Sequence, residues 1–142
     1  MGDTLSDQFR IDNLVTPQDV ASAAEVSTNT SMYRSMAKYA HGTVVIVAHL
    51  TNLKTAIAQL TQASAAGGTS KGDVSGFTVT LTGTTAAPEQ VGTIDFNATD
   101  LQVSVDGEYF VGVDITTNQD GDDVAAVLVR AGARYEEATM DV

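Results

Sequence analysis

The sequence predicts an all-β protein, a two-layer antiparallel β-sandwich for which a jelly-roll-like wrap is admissible, with an extended N-terminal arm. Three observations carry that expectation: six or seven short runs rich in β-branched residues, Gly- and Pro-marked turns between them, and little sequence with a helical period. An open barrel is the alternative arrangement of the same strands. No solenoid-length repeat is present, and no strand–helix alternation of the kind that builds a nucleotide-binding parallel sheet.

Residues 1–30 are rich in Asp, Ser, Thr and Asn and hold a short apolar run, Phe9, Ile11, Leu14 and Val15, ahead of Pro17. They read as an arm able to pair with a sheet edge or to reach a neighbouring subunit, with those four residues as its anchors. Residues 31–142 then form the sandwich domain. Within it, Ser31 to Ala40 (SMYRSMAKYA) predicts a short helical turn capped by Ser31 and ended by His41-Gly42. Thr43 to Thr51 (TVVIVAHLT) follows as a strand, apolar at successive positions as expected where both faces are covered.

Leu53 to Ala63 fits both periods, since Leu53, Ala56, Ile57 and Leu60 suit a helix while Thr55, Ile57, Gln59 and Thr61 alternate. The Gly-rich AAGGTSKGD that follows joins β elements, and the segment is assigned as a strand. Gly76 to Leu81 and Val91 to Phe96 are alternating strands separated by the turn residues TGTTAAPEQ. Tyr109 to Thr116 alternates with Tyr109, Val111, Val113 and Ile115 on one face, and Val124 to Val129 is apolar on both. The polar segment TTNQDGDD between them predicts a β-hairpin.

At 142 residues the chain fits one domain able to bury a core of its own, and its 43% hydrophobic content places it among globular sequences. Eighteen acidic against seven basic residues give a formal charge of −11, which opposes binding to nucleic-acid backbones and to anionic membranes. The acidity suits a basic protein surface, high salt, or plain solvation, and composition does not choose among them. With no cysteine there is no disulfide framework and no thiolate chemistry. The polar first residues lack the basic and apolar regions of a secretory signal, and the longest apolar stretch, Val44 to Ala48, is far short of the ~20 residues of a membrane helix.

No motif specifies chemistry. Asn118, Asp120, Asp122 and Asp123 place oxygens around a Gly turn as a calcium loop does, but Ala125 to Val129 supplies no later acidic ligand, so a hairpin turn is expected and no metal. His41 and His49 have no serine of the G-x-S-x-G type to serve, and structural roles are expected for both. Paired carboxylates for glycoside chemistry stay open in an acidic chain, yet no Trp and four Tyr and four Phe leave few rings for stacking on sugars. GGTSKG lacks the spacing of a phosphate-binding loop. The expectation is a protein without catalysis or cofactor. Arg130, Arg134 and Tyr135, in RAGARYEE, are expected at a subunit contact, an ordinary surface pairing with Glu136 or Glu137 being the alternative.

The wording DLQVSVDGEYFVGVDIT followed by VAAVLVRAGARYE resembles small virion proteins of tailed bacteriophages, the capsid decoration or cement proteins. The shared pattern covers Asp100, Tyr109 to Val113, the turn 117–123, Ala126 to Arg130 and Ala133 to Glu136, and TAIAQLTQASAAGG (55–68) is similar to a strand and loop of the same group. It extends over the C-terminal two thirds. The resemblance implies a β-sandwich on the outer surface of a major capsid protein shell, commonly a homotrimer at subunit junctions, that stabilises the shell against its packaged genome. A tail or baseplate component is the alternative within a virion. A carbohydrate-binding module is the alternative outside it.

Overall fold

The computed structural model describes residues 9–20, 25–28, 32–101 and 109–133. Among these residues nine strands run β1 (Phe9–Val20), β2 (Glu25–Ser27), β3 (Arg34–Ser35), β4 (Tyr39–His49), β5 (Thr55–Ala63), β6 (Gly72–Thr82), β7 (Glu89–Asn97), β8 (Phe110–Thr117) and β9 (Asp122–Ala133). One sheet has the order β1-β9-β4-β7. The other has β2-β8-β5-β6, with β3 also paired to β8. All pairings between these strands are antiparallel.

Because β2 and β3 lie on the same side of β8, they act as one interrupted strand and reduce the topology to eight. The first then pairs with the eighth, the second with the seventh, the third with the sixth and the fourth with the fifth. That nesting is the jelly-roll wrap, an antiparallel ribbon rolled so that its turns form two layers. The predicted sandwich is therefore present in its jelly-roll form.

The core lies between the layers. Val44, Ile46 and Ala48 of β4, Val124, Ala126 and Leu128 of β9, and Ile94 and Phe96 of β7 face Ala56, Ala58 and Leu60 of β5 and Val111, Val113 and Ile115 of β8, all buried in one cluster. Gly42 belongs to this packing, since a Cβ there would lie 2.3 Å from Phe96 Cζ.

Four expectations change. β8 and β9 are not a hairpin: they sit in different sheets, and 118–121 carries the chain across the sandwich edge. Apolar residues of both strands still meet, but across the core instead of side by side. The helical turn at 31–40 is absent over its described part, where Arg34–Ser35 pairs with β8, Ala37 and Lys38 turn, and Tyr39 opens β4. Burial of Tyr33 and Met36 overrides local propensity there, and Met36 N donates to Tyr109 O at 2.7 Å.

Residues 9–20 of the expected arm are extended, but they form the edge strand of the chain's own sheet, paired along β9 from Phe9 opposite Ala131 to Val20 opposite Asp122. Register shifts fall between Asn13 and Val15 and between Val15 and Gln18, the second spanning Pro17, which an edge strand tolerates. Lastly, among the described residues β4 is covered on one face only. The ambiguous segment is strand β5, as expected.

Candidate interaction surface

In an antiparallel sheet, directly opposite residues place their side chains on the same face. The register of the β1-β9-β4-β7 sheet therefore lays its outward face out in rows. Phe9, Ala131, His41 and Asn97 form the first; Ile11, Val129, Thr43 and Asp95 the second; Asn13, Val127, Val45 and Thr93 the third. Ala125, Val47 and Val91 form the fourth, and Asp19, Asp123, His49 and Glu89 the fifth. The middle rows are mostly apolar and open: Ile11 is 67% exposed, Val91 64% and Val47 46%.

At one end, the β4 and β7 side chains of the first two rows are polar and mutually bonded. His41 Nδ1 lies 2.7 Å from Asn97 Oδ1, Thr43 Oγ1 donates to Asp95 Oδ1 at 2.6 Å, and Asn97 N donates to Asp100 Oδ2 at 2.7 Å. At the other end a cleft of ≈230 Å³ is lined by Pro17, Val47, His49, Glu89, Asp123 and Ala125. There the Asp19 carboxyl hydrogen-bonds the exposed Asp123 and, with a little desolvation and the charges of Asp19 and Asp122, raises its pKa above the ordinary 3.8 against the opposing pull of His49.

The opposite outer face is of another character. Thr55 opposes Thr82, Ile57 opposes Thr80, and Gln59 opposes Thr78, giving a threonine-rich surface. Beside it, the outward side of β8 is closed: a Cβ on Gly112 would lie 2.5 Å from Tyr33 Cε1. Lys71 Nζ reaches Asp114 Oδ2 at 2.6 Å and Ser27 Oγ at 3.0 Å, pinning the Gly-rich loop to the sheet. Burial would lower the Lys71 pKa, but the hydrogen bond and charge of Asp114, with Tyr33 and Glu25, outweigh it and the pKa is raised.

Of the residues expected at contacts, Phe9 and Ile11 lie on the Val-rich face. Leu14 and Val15 do not: both are fully buried in the chain's own core, so neither offers surface to a neighbour. Arg130 also turns inward. Its Nη2 donates to Asp12 Oδ2 at 2.5 Å, its Nη1 to Ser35 O at 2.8 Å, and its guanidinium stands 4.6 Å from the Tyr39 ring centroid. Arg130 thus closes one end of the sandwich from within, where burial forces the guanidinium to find partners inside the chain. Arg134 and Tyr135, like Glu136 and Glu137, lie outside the described residues.

The candidate metal turn is used otherwise. Asp122, 3% exposed, accepts from Thr51 N at 3.1 Å and from Thr51 Oγ1 at 2.8 Å, and Asn118 Oδ1 accepts from Thr55 N at 2.9 Å. These side chains fasten the two ends of the crossing 118–121 to Thr51, after β4, and to Thr55, at the start of β5. Among the described residues, no group of three or more His, Cys, Asp or Glu could hold a metal ion, and no helix is long and apolar enough to cross a membrane.

Sequence reasoning missed Val45, Val47, Val91, Val127 and Val129 as surface residues. The signal was present. β4 and β9 read as apolar on both faces, and among the described residues of this two-layer fold none covers the second face.

The class these features define is an antiparallel jelly roll with one apolar outer sheet. No family model matches the sequence, and no curated protein does. Among solved structures, the VP2 subviral particle of infectious bursal disease virus is similar over 91% of this chain and 34% of its own, at 9% identity and a TM-score of 0.52. The Gx strain of the same virus is similar over 90% and 33%, at 9% identity and 0.51. A CBM4 structure is similar over 89% and 96%, at 13% identity and 0.48. The chain spans about a third of the length of the viral proteins, and at these identities what is shared is the fold.

Proposed function

We propose that this chain is a virion structural protein of the capsid-decoration class, bound as a homotrimer to the outer surface of a major capsid protein shell and stabilising it, without catalytic activity. One observation carries the reading: β4 and β9, the central strands of one sheet, are apolar on both faces in a two-layer fold, leaving Val45, Val47, Val127 and Val129 on the outside. A continuous apolar sheet face on a monomer marks a surface that another protein covers.

Two further facts support the virion setting. The sequence wording that resembles phage decoration proteins includes β8 and β9, consecutive strands between which the chain passes from one layer to the other. The jelly roll is also the fold shared with VP2, a protein of a viral subviral particle. Several modest contacts made at once by one oligomer gain strength from effective concentration, as stabilising a shell requires.

The test is mass spectrometry of purified particles together with antibody labelling of intact ones. Labelling spread over the shell is expected. Labelling confined to the tail would overturn the shell assignment, and absence from the particles would overturn the virion assignment.

A further inference from the structure

Resting on that reading, the chemistry of the surface on the other side of the contact can be named. We propose that the outer face of the β1-β9-β4-β7 sheet docks on a protein surface whose apolar centre is flanked at both ends by lysine or arginine.

The face supplies both halves of that complement. Its centre is Ile11, Val129, Val127, Val45, Val47 and Val91. Toward one end Asp95, on the β7 side of the second row, stands with Asp100 of the turn that follows β7; the other end carries Asp19, Asp123 and Glu89 in a single row. No lysine or arginine stands in any of the five rows, and the two histidines are the only basic side chains there.

The span from His41 to His49 is about 27 Å at the rise of a strand, and four strands are about 19 Å wide, so the face covers on the order of 500 Å². That is less than the ~800 Å² per partner of a stable independent interface, so this face serves attachment at several points better than a lone strong pairing.

Charge selects among the possible occupants. A second copy placed face to face sets an acidic end against an acidic end in either orientation, because both ends carry carboxylates, and like charges at an interface oppose pairing. Nucleic acid and anionic lipid are repelled for the same reason. A basic-flanked protein surface meets both the centre and the carboxylates beside it: valines cover valines, and lysine or arginine heads reach the carboxylates, at one end over the apolar floor of the ≈230 Å³ cleft at Pro17, Val47 and Ala125.

The assay uses the full chain, isotope-labelled for NMR, and an eight-residue peptide of four valines with two lysines at each end, whose extended length is also about 27 Å. Shifts are expected at the amides of β4, β9 and β7 around Val47, Ala125 and Val91. Replacing the peptide's lysines with glutamates, or its valines with serines, should weaken binding at least about tenfold. A Val47→Ser/Val91→Ser variant should weaken it as well, whereas Ile57→Ser on the other sheet should leave it unchanged.

Equal binding of the glutamate peptide, or shifts centred on the threonine-rich face, would overturn the proposal. So would dilution-dependent shifts of the same amides without peptide, which would mean that a second copy covers the face. No particle enters the assay, so its failure leaves the virion assignment standing, and failure of the virion assignment leaves its outcome readable.

Discussion

Removing Asp12 should destabilise the fold more than removing its partner Arg130, and the asymmetry follows from who remains behind. Both side chains are nearly buried, at 11% exposure for Arg130 and 12% for Asp12. Asp12 Oδ1 also lies 3.9 Å from Arg10 Nε and 4.0 Å from Arg34 Nε, so one carboxylate balances three guanidinium groups. Asp12→Ala leaves Arg130 between Ser35 O and the Tyr39 ring with Arg34 nearby and no anion. Stranding one member of a buried pair costs about 3–5 kcal/mol.

Arg130→Met keeps Asp12 in the company of Arg10 and Arg34. It loses the charge-assisted hydrogen bonds and a cation–π contact while retaining an apolar stem, for an expected cost of about 1–3 kcal/mol. The double variant should then be little worse than Arg130→Met alone, a coupling of about 2 kcal/mol or more. Urea denaturation followed by circular dichroism measures all three. Costs that simply add, or an Asp12→Ala cost below about 1 kcal/mol, would refute the internal pairing. An Arg130→Met protein with an unchanged midpoint but lost assembly would return Arg130 to the subunit contact expected from sequence.

Three other outcomes are expected. Asp123 binds a proton more readily in the fold than in the unfolded chain, so its contribution to stability falls as pH rises from 3.8 through the raised value; Asp123→Asn should raise the denaturation midpoint at neutral pH, with the advantage fading below pH 3.8. Leu53 has φ +63° and is 75% exposed, so Leu53→Gly should relieve left-handed strain while losing little burial, a gain of about 0.5–1 kcal/mol in the same denaturation assay. A Cβ on Gly83 would lie 2.5 Å from Thr51 O and 2.7 Å from Leu50 O, backbone atoms that cannot swing aside, so Gly83→Ala should lower thermal stability by about 1–3 kcal/mol.

What the sequence disclosed was each strand considered alone. Val111, Val113 and Ile115 alternate, and they are core residues; the segment from Thr55 pairs as a strand even though its apolar spacing also suits a helix. Partner choice was hidden, because alternation fixes which side chains turn inward and says nothing about which layer a strand joins. TTNQDGDD can close a hairpin or step between sheets with equal local chemistry. What decides is the pairing of β9 with β1 and β4, and Arg130 and Asp12 bond across a separation of 118 residues. The same blindness hid the contact face: Val45 and Val127 looked like core until the two-layer count left them outside.

The N-terminal strand offers the sharpest choice between an arm and a core element. Deleting residues 1–16 of a detachable arm would weaken attachment to a partner and leave the fold intact. Here it would strip Leu14 and Val15 from the core, remove Asp12 from Arg130, and free the β9 edge over most of its length. The two apolar side chains alone stabilise by about 1.5–3 kcal/mol each, and the stranded arginine adds about 3–5 kcal/mol. Against the ~5–15 kcal/mol that separates a typical domain from its unfolded state, the truncated protein should be largely unfolded at ambient temperature. Circular dichroism and amide dispersion decide the matter. A cooperative transition at the full-length midpoint would mean that β1 is dispensable and that its anchors belong to a neighbour. A loss of native signal would make β1 a core element, in keeping with a bulged, Pro17-bearing edge that is poorly made to accept another strand.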